Sequence, residues 1–239
     1  MRPTAIAVVA LILFLGFVSP GRAAATVKFC MGCNLAGAAL ARADFTSALY
    51  VGANFEGAQL VGATFRGARL IAANFHNADL RGVTFDGVEC LACNFEGASL
   101  DGATFAGARF TTANFHGFAS ALGDVQLRDL LGECIACNFR DSRLGGRNLS
   151  GLALISVDFS NSDLRGATLA GTVLCWYDGT RSSDSGKCDQ LRGAALAGAD
   201  LQRVQICVDP LVRSGCREVP AAMLRRESGS ALEDAALSP

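Results

Sequence analysis

The sequence predicts an all-β solenoid of square cross-section, and three observations predict it. A large apolar residue returns at every fifth position from Leu35 to Phe115, seventeen times without a slip. Two residues before each of these centres stands Ala in thirteen cases, and two residues after it stands Gly in eleven. Like residues also recur at twenty: Leu35, Phe55, Phe75, Phe95 and Phe115 form one column, and Leu40, Leu60, Leu80 and Leu100 a second. Phe45, Phe65, Phe85 and Phe105 form the third, and the mixed series Cys30, Tyr50, Leu70, Cys90 and Phe110 the fourth. A period of five fits neither a 3.6-residue helix nor a two-residue strand. It requires a corner every five residues, with the centre and the small residue before it both pointing inward. Four such sides bring position n over n+20, one rung of ~4.8 Å away.

The chain has 239 residues, is 51% hydrophobic and 18% charged, and carries a net charge of −1. That excludes a disordered chain, and it lacks the basic excess that nucleic-acid binding requires. Its two histidines leave little room for a zinc centre built from several imidazoles.

Residues 1–25 read as a signal peptide. Arg2 is the positive n-region, Ala5 to Val18 is an apolar stretch too short to span a membrane comfortably, and Ala23-Ala24-Ala25 is a small-residue cleavage site. Cleavage there removes Arg2 and Arg22, leaving 19 basic and 22 acidic residues. The expected location is periplasmic or secreted, with no membrane span after cleavage; an uncleaved anchor is the alternative.

The first solenoid segment is expected over residues 26–117. Residues 118–133 lose the phase, and Leu127, Leu130 and Leu131 beside Arg128 and Asp129 suggest a short helix or an irregular coil. A second segment is expected over 134–206, with centres from Cys134 to Leu174 and from Leu191 to Ile206. Between them the polar run inside 175–190 reads as a loop. The tail, 207–239, is expected to hold one short capping helix over Pro220 to Glu227 and then to fray. The unit count gives about seven coils.

At Ala53-Asn54-Phe55-Glu56-Gly57, Ala78-Asp79-Leu80-Arg81-Gly82 and Ala199-Asp200-Leu201 the chain resembles the pentapeptide repeat family, whose unit reads Ala-(Asp/Asn)-Leu-X-X. The resemblance implies a right-handed quadrilateral β-helix. It implies little about function, because the motif residues form core and corners. One role known in the family, DNA-mimicking inhibition that protects a topoisomerase, needs a strongly acidic face and a cytoplasmic location. Interspersed arginines and the signal segment count against it here.

Three Cys-X-X-Cys-Asn units stand out: Cys30/Cys33, Cys90/Cys93 and Cys134/Cys137. Haem attachment would need His after the second Cys, where Asn stands. A four-thiolate zinc site would need two pairs to meet, but Cys30 and Cys90 lie three coils, ~14 Å, apart. Structural disulfides fit export; buried thiols and redox or metal chemistry are the alternatives. The family often opens its helix with a related Cys-X-X-Cys unit, which suggests that Cys134 restarts the helix. By neighbourhood, Cys175 is expected to pair with Cys188, and Cys207 with Cys216.

No phosphate loop, Gly-X-Ser-X-Gly or His-Glu-X-X-His motif occurs, so no enzyme and no cofactor are expected. The Asn54, Asn74, Asn94 and Asn114 column reads as a turn-stabilising ladder rather than a ligand surface. Charges also fall into ladders: Arg66 one rung from Asp86, Arg81 one rung from Asp101, and Glu89 between Arg69 and Arg109. Glu56, His76, Glu96 and His116 share one outward column, a weak candidate for a divalent metal. Met31, Val51, Ile71 and Leu91 form an apolar outward column, a candidate interface for a covering segment, a protein partner or a second copy. The function expected is an exported structural or protein-binding module; a metal-binding or thiol-redox envelope protein is the alternative.

Overall fold

The structure, a computed structural model, describes residues 28–176, 191–207 and 216–228. The signal segment, the part of the loop after Trp176, and the tail beyond Ser228 lie outside the described residues.

The chain winds into a parallel β-solenoid. Six short strands stack in order: β1 (Phe29–Met31), β2 (Leu49–Val51), β3 (Arg69–Ile71), β4 (Glu89–Leu91), β5 (Arg109–Thr111) and β6 (Cys134–Ile135). Each pairs in parallel with the next, as in Tyr50↔Leu70 and Leu70↔Cys90. All six belong to the fourth side. The residue after the centre stays extended there, so pairing runs along the strand. On the other sides that residue enters the corner, and pairing reduces to single bridges such as Asn54↔Asn74, Gln59↔Asp79 and Thr64↔Thr84. The six-stranded sheet therefore marks five turns, against the roughly seven coils counted from sequence, because stacking beyond β6 continues through isolated bridges such as Asn138↔Asp158 and Arg143↔Asp163.

The centres fill the interior. Phe75 is fully buried between Phe55, with ring centroids 4.9 Å apart, and Phe95 at 5.0 Å, both parallel-stacked. It also meets Phe65 edge-on at 5.6 Å and Phe85 at 6.1 Å. The alanines two residues before the centres, such as Ala53, Ala58 and Ala63, are buried too, leaving width for the rings. Corners adopt positive φ: Gly97 at 69° is one, and a Cβ there would also collide with the Asn77 side chain of the rung below. Ala72, Ala92 and Thr112 occupy the same conformation at 52°, 55° and 52°, a region that side-chain-bearing residues enter at a cost of ~1–2 kcal/mol.

The 118–133 interruption contains a helix, α1 (Asp124–Gly132), whose Leu127, Leu130 and Leu131 are buried in the same core. The register steps from Phe110 to Cys134, 24 residues where earlier steps are 20, so the coil carrying α1 absorbs four extra residues. The aromatic column passes through undisturbed, with Phe115 and Phe139 stacked at 4.8 Å. Arg128 Nη1 donates to the Ser150 carbonyl at 2.8 Å, and Arg147 Nη1 to that of Leu122 at 2.9 Å, fastening the insertion.

At the far end β7 (Val173–Trp176) pairs in parallel with β8 (Gln205–Cys207), and β8 pairs antiparallel with β9 (Arg217–Glu218). The reversal ends the winding. Helix α2 (Ala221–Ser228) follows, burying Leu224, while Arg225 donates to the carbonyls of Leu196 at 2.8 Å and Ala199 at 3.2 Å. Among the described residues no helix is long and apolar enough to cross a membrane.

Candidate functional site

The first three sides present polar columns, many of whose groups pair within the chain. On the first side each Asn Oδ1 accepts from the backbone N–H two residues on, at 3.1 Å for Glu56, His76, Glu96 and His116. Each Asn Nδ2 donates to the Asn one rung below, at 3.1 Å for Asn74 to Asn54 and 2.9 Å for Asn114 to Asn94. The amides are committed to corners and rungs, which leaves little for a ligand.

The neighbouring Glu56, His76, Glu96, His116 column does not converge on one point. His76 Nε2 lies 3.0 Å from Asn77 Nδ2, and Asn74 reaches Glu56 at 3.5 Å. His116 sits between two carboxylates, with Nδ1 3.3 Å from Glu96 and Nε2 2.9 Å from Asp141. The two ring nitrogens point in opposite directions, so the carboxylates bracket the imidazole rather than enclose a cation with it. Among the described residues no group of three or more His, Cys, Asp or Glu is arranged to hold a metal.

Two of the expected charge-ladder contacts close, and Arg81–Asp101 and Glu89–Arg109 do not. Arg66 meets Asp86 at 3.5 Å and Arg69 meets Glu89 at 3.2 Å. Arg81 turns instead to Asp79 on its own side, at 2.7 Å, while Asp101 accepts from the Ala121 N–H at 2.6 Å. The short in-side reach wins because backbone and guanidinium of Arg81 both donate to the same carboxylate. Those hydrogen bonds hold the Asp79 carboxyl below its ordinary value. The equivalent Arg165 contacts hold Asp163 lower still, at about 2. In the core, burial pushes the Tyr50 phenol up to about 12.

The Cys-X-X-Cys units are closed. Cys30–Cys33, Cys90–Cys93 and Cys134–Cys137 are disulfides, with Cα atoms 5.9, 6.0 and 5.8 Å apart, inside the usual bridging range. Each joins a fourth-side centre to the inward position of the next side, and all but Cys33 are buried. Cys216 is disulfide-bonded. The expected Cys175–Cys188 and Cys207–Cys216 pairings involve side chains outside the described residues.

The fourth side differs from the others. Its outward positions form two columns along β1–β6. Met31 is 71% exposed, Leu91 47% and Ile135 37%, with Val51, Ile71 and Thr111 half-buried between them. Helix α1 does not cover this column, because its apolar face is spent on the core. The parallel column runs Phe29, Leu49, Arg69, Glu89, Arg109 and Glu133, apolar at one end and alternating in charge after it. A shallow cleft of about 310 Å³ lies across β3–β5, lined by Arg69, Ile71, Glu89, Leu91, Arg109 and Thr111. Sequence reading found the apolar column and the Arg69, Glu89, Arg109 alternation, but not its fourth member, Glu133, which the 24-residue step places beside Arg109.

Two sequence profiles described as pentapeptide repeats match the chain, one over residues 51–87 and 133–174, the other over 73–120. A pentapeptide repeat protein from the Arabidopsis thaliana thylakoid lumen is 34% identical over 49% of this chain and 83% of its own, with a TM-score of 0.30. Full-length QnrB1, a plasmid-mediated fluoroquinolone resistance protein, is 14% identical over 87% of this chain and 97% of its own, with a TM-score of 0.39. HetL, a pentapeptide repeat protein involved in heterocyst differentiation regulation in a Nostoc cyanobacterium, is 21% identical over 76% and 83%, with a TM-score of 0.26. No curated protein matches the chain. With its five-residue period, both profiles and a 34% identical relative, the chain belongs to the pentapeptide repeat family.

Proposed function

We propose that the protein is an exported, non-catalytic binding rod that presents the outer face of β1–β6 to a protein partner. The observation that carries this reading is the exposed apolar column on that face, Met31 through Ile135, beside a first side whose Asn amides are engaged within the chain and second and third sides that carry ion pairs such as Arg81–Asp79 and Arg66–Asp86. A rigid stack of paired coils holds such a column straight, and burying exposed apolar surface of this kind drives association. Export is supported by the Arg2, Ala5 to Val18 and Ala23-Ala24-Ala25 pattern, and by the disulfides, which persist in oxidising compartments.

Fractionation combined with cross-linking in the native envelope tests both parts. The reading expects protein outside the cytoplasm, shortened by residues 1–25, with an adduct to another polypeptide. Full-length, reduced protein in the cytosol would overturn the export; absence of any adduct would overturn the binding role.

A further inference from the structure

We propose that the β1–β6 face joins two copies of this chain in an isologous dimer, with a two-fold axis running along the strand direction between β4 and β5. The proposal rests on the reading of this face as the binding surface and adds the identity of the partner.

The argument is the order of residues in the two outward columns. One column reads Leu49, Arg69, Glu89, Arg109, Glu133, Ala153, and the other Val51, Ile71, Leu91, Thr111, Ile135, Ile155. The pairings Arg69↔Glu89, Glu89↔Arg109 and Thr111↔Ile135 fix the rungs, and the Ala136 N–H bond to the Ile155 carbonyl at 2.9 Å extends them. A two-fold axis along the strands keeps each column over itself and reverses its order. Placed between β4 and β5, it sets Glu89 against Arg109 of the second copy and Arg69 against Glu133. It sets Leu49 against Ala153, Leu91 against Thr111, Ile71 against Ile135, and Val51 against Ile155. Every cation meets an anion, and no charge meets the apolar column.

Other registers fail. An axis through β4 sets Glu89 on Glu89 and Arg69 on Arg109, and like charges in apposition are strongly unfavourable. An axis between β3 and β4 leaves Arg109 over Leu49. An axis along the rod exchanges the two columns and lays Arg69 on Ile71. In its own chain Arg69 already meets Glu89 at 3.2 Å, so the dimer extends an existing alternation. The cleft of about 310 Å³ lies at β3–β5, next to the axis, where protruding Leu91 would meet the smaller Thr111.

Six rungs at ~4.8 Å give a face of ~24 Å, and a three-residue strand gives ~10 Å of width. That is well below the ~800 Å² per partner of a standard interface. Association is therefore weak, reversible and concentration-dependent.

Sedimentation of the purified protein from micromolar to millimolar concentration tests this. The proposal expects a monomer–dimer equilibrium. Arg109→Glu should weaken it about tenfold or more, because two Glu–Glu contacts replace two ion pairs, and Glu89→Arg/Arg109→Glu should recover most of the loss. The melting temperature of dilute Arg109→Glu should fall by only a few degrees, the cost of a like charge beside Glu89 and Glu133 within the chain. If that variant misfolds, Thr111→Arg, which crowds Leu91 of the second copy, replaces it with the same expectation. A photo-cross-linker in place of Ile71 should label the peptide containing Ile135. A monomer at all concentrations, a dimer indifferent to these charges, or labelling of a different peptide overturns the dimer. A monomer that still gives envelope adducts from this face to a foreign protein overturns the dimer alone; no adduct of any kind overturns the binding-face reading as well.

Discussion

His116 and Asp141 face each other across the coil that carries α1, with the imidazole Nε2 2.9 Å from an Asp141 carboxylate oxygen. Glu96 closes the other side at 3.3 Å. The contact ties the first segment of the solenoid to the second where four extra residues had to be absorbed. Both side chains are about half exposed, so the contact contributes under ~1 kcal/mol and is screened by salt. Asp141→Asn should lower the melting temperature by a few degrees at low ionic strength and by less in 1 M salt. Thermal melts at the two ionic strengths check this; an equal drop at both would mean that the contact acts through shape rather than charge.

Acid should weaken the fold through Asp163 and Asp79. Their carboxyls are held low by Arg165 and Arg81, Asp163 at about 2, against ~3.9 in an unfolded chain. A depressed folded value means that the stabilisation is complete above the unfolded value and disappears as pH falls from ~4 through 2. These side chains are about a third exposed, so solvent screening keeps each contribution small. Asp163→Asn should flatten the stability curve between pH 4 and 2 and leave its shape above pH 5 unchanged. A curve parallel to wild type throughout would remove Asp163 from the account.

The aromatic column should dominate folding energetics. Phe75 is fully buried and touches four other rings. Phe75→Ala should destabilise by ~3–5 kcal/mol, and Phe75→Leu by much less, because Leu already serves as a centre elsewhere. Denaturant titrations measure both. A loss below ~1 kcal/mol for the alanine variant would mean that the coils carry their stability elsewhere.

The interior was legible in the sequence because every fifth side chain has a fixed direction and every twentieth a fixed neighbour. Phe55, Phe75 and Phe95 could be stacked on paper. Position 118–133 was visible as a break, but helix and coil stayed open until Leu127, Leu130 and Leu131 were seen to share the core. What failed was arithmetic across that break. A spacing of 20 gives His116 no acidic neighbour above it, whereas the 24-residue step brings Asp141 to its ring and Glu133 beside Arg109. Restarting the count at Cys134, aligned with Phe110, would have revealed Glu133; it sets Arg140 over His116, and Asp141 reaches the ring from the corner one residue on. Arg81 was misassigned to Asp101 for another reason. Rung spacing says nothing of a carboxylate two residues back on the same side, yet Asp79 is nearer and meets both guanidinium and backbone.

The disulfides should be closed in the protein as isolated. Alkylation without reduction should label none of Cys30, Cys33, Cys90, Cys93, Cys134 and Cys137, as read by mass spectrometry. Each bridge closes a very short loop, so Cys90→Ala/Cys93→Ala should destabilise by only ~2 kcal/mol. Full labelling of all six would identify them as core thiols and withdraw the strongest structural support for an oxidising compartment.

The central claim is that one side of this four-sided rod makes the contacts and the others do not. Photo-cross-linkers placed singly at Leu91, on the β1–β6 face, and at Arg81, on the second side, test it most directly in the native envelope. The account predicts adducts from position 91 and none above background from position 81. Equal yields from both positions, or adducts from position 81 alone, would contradict it.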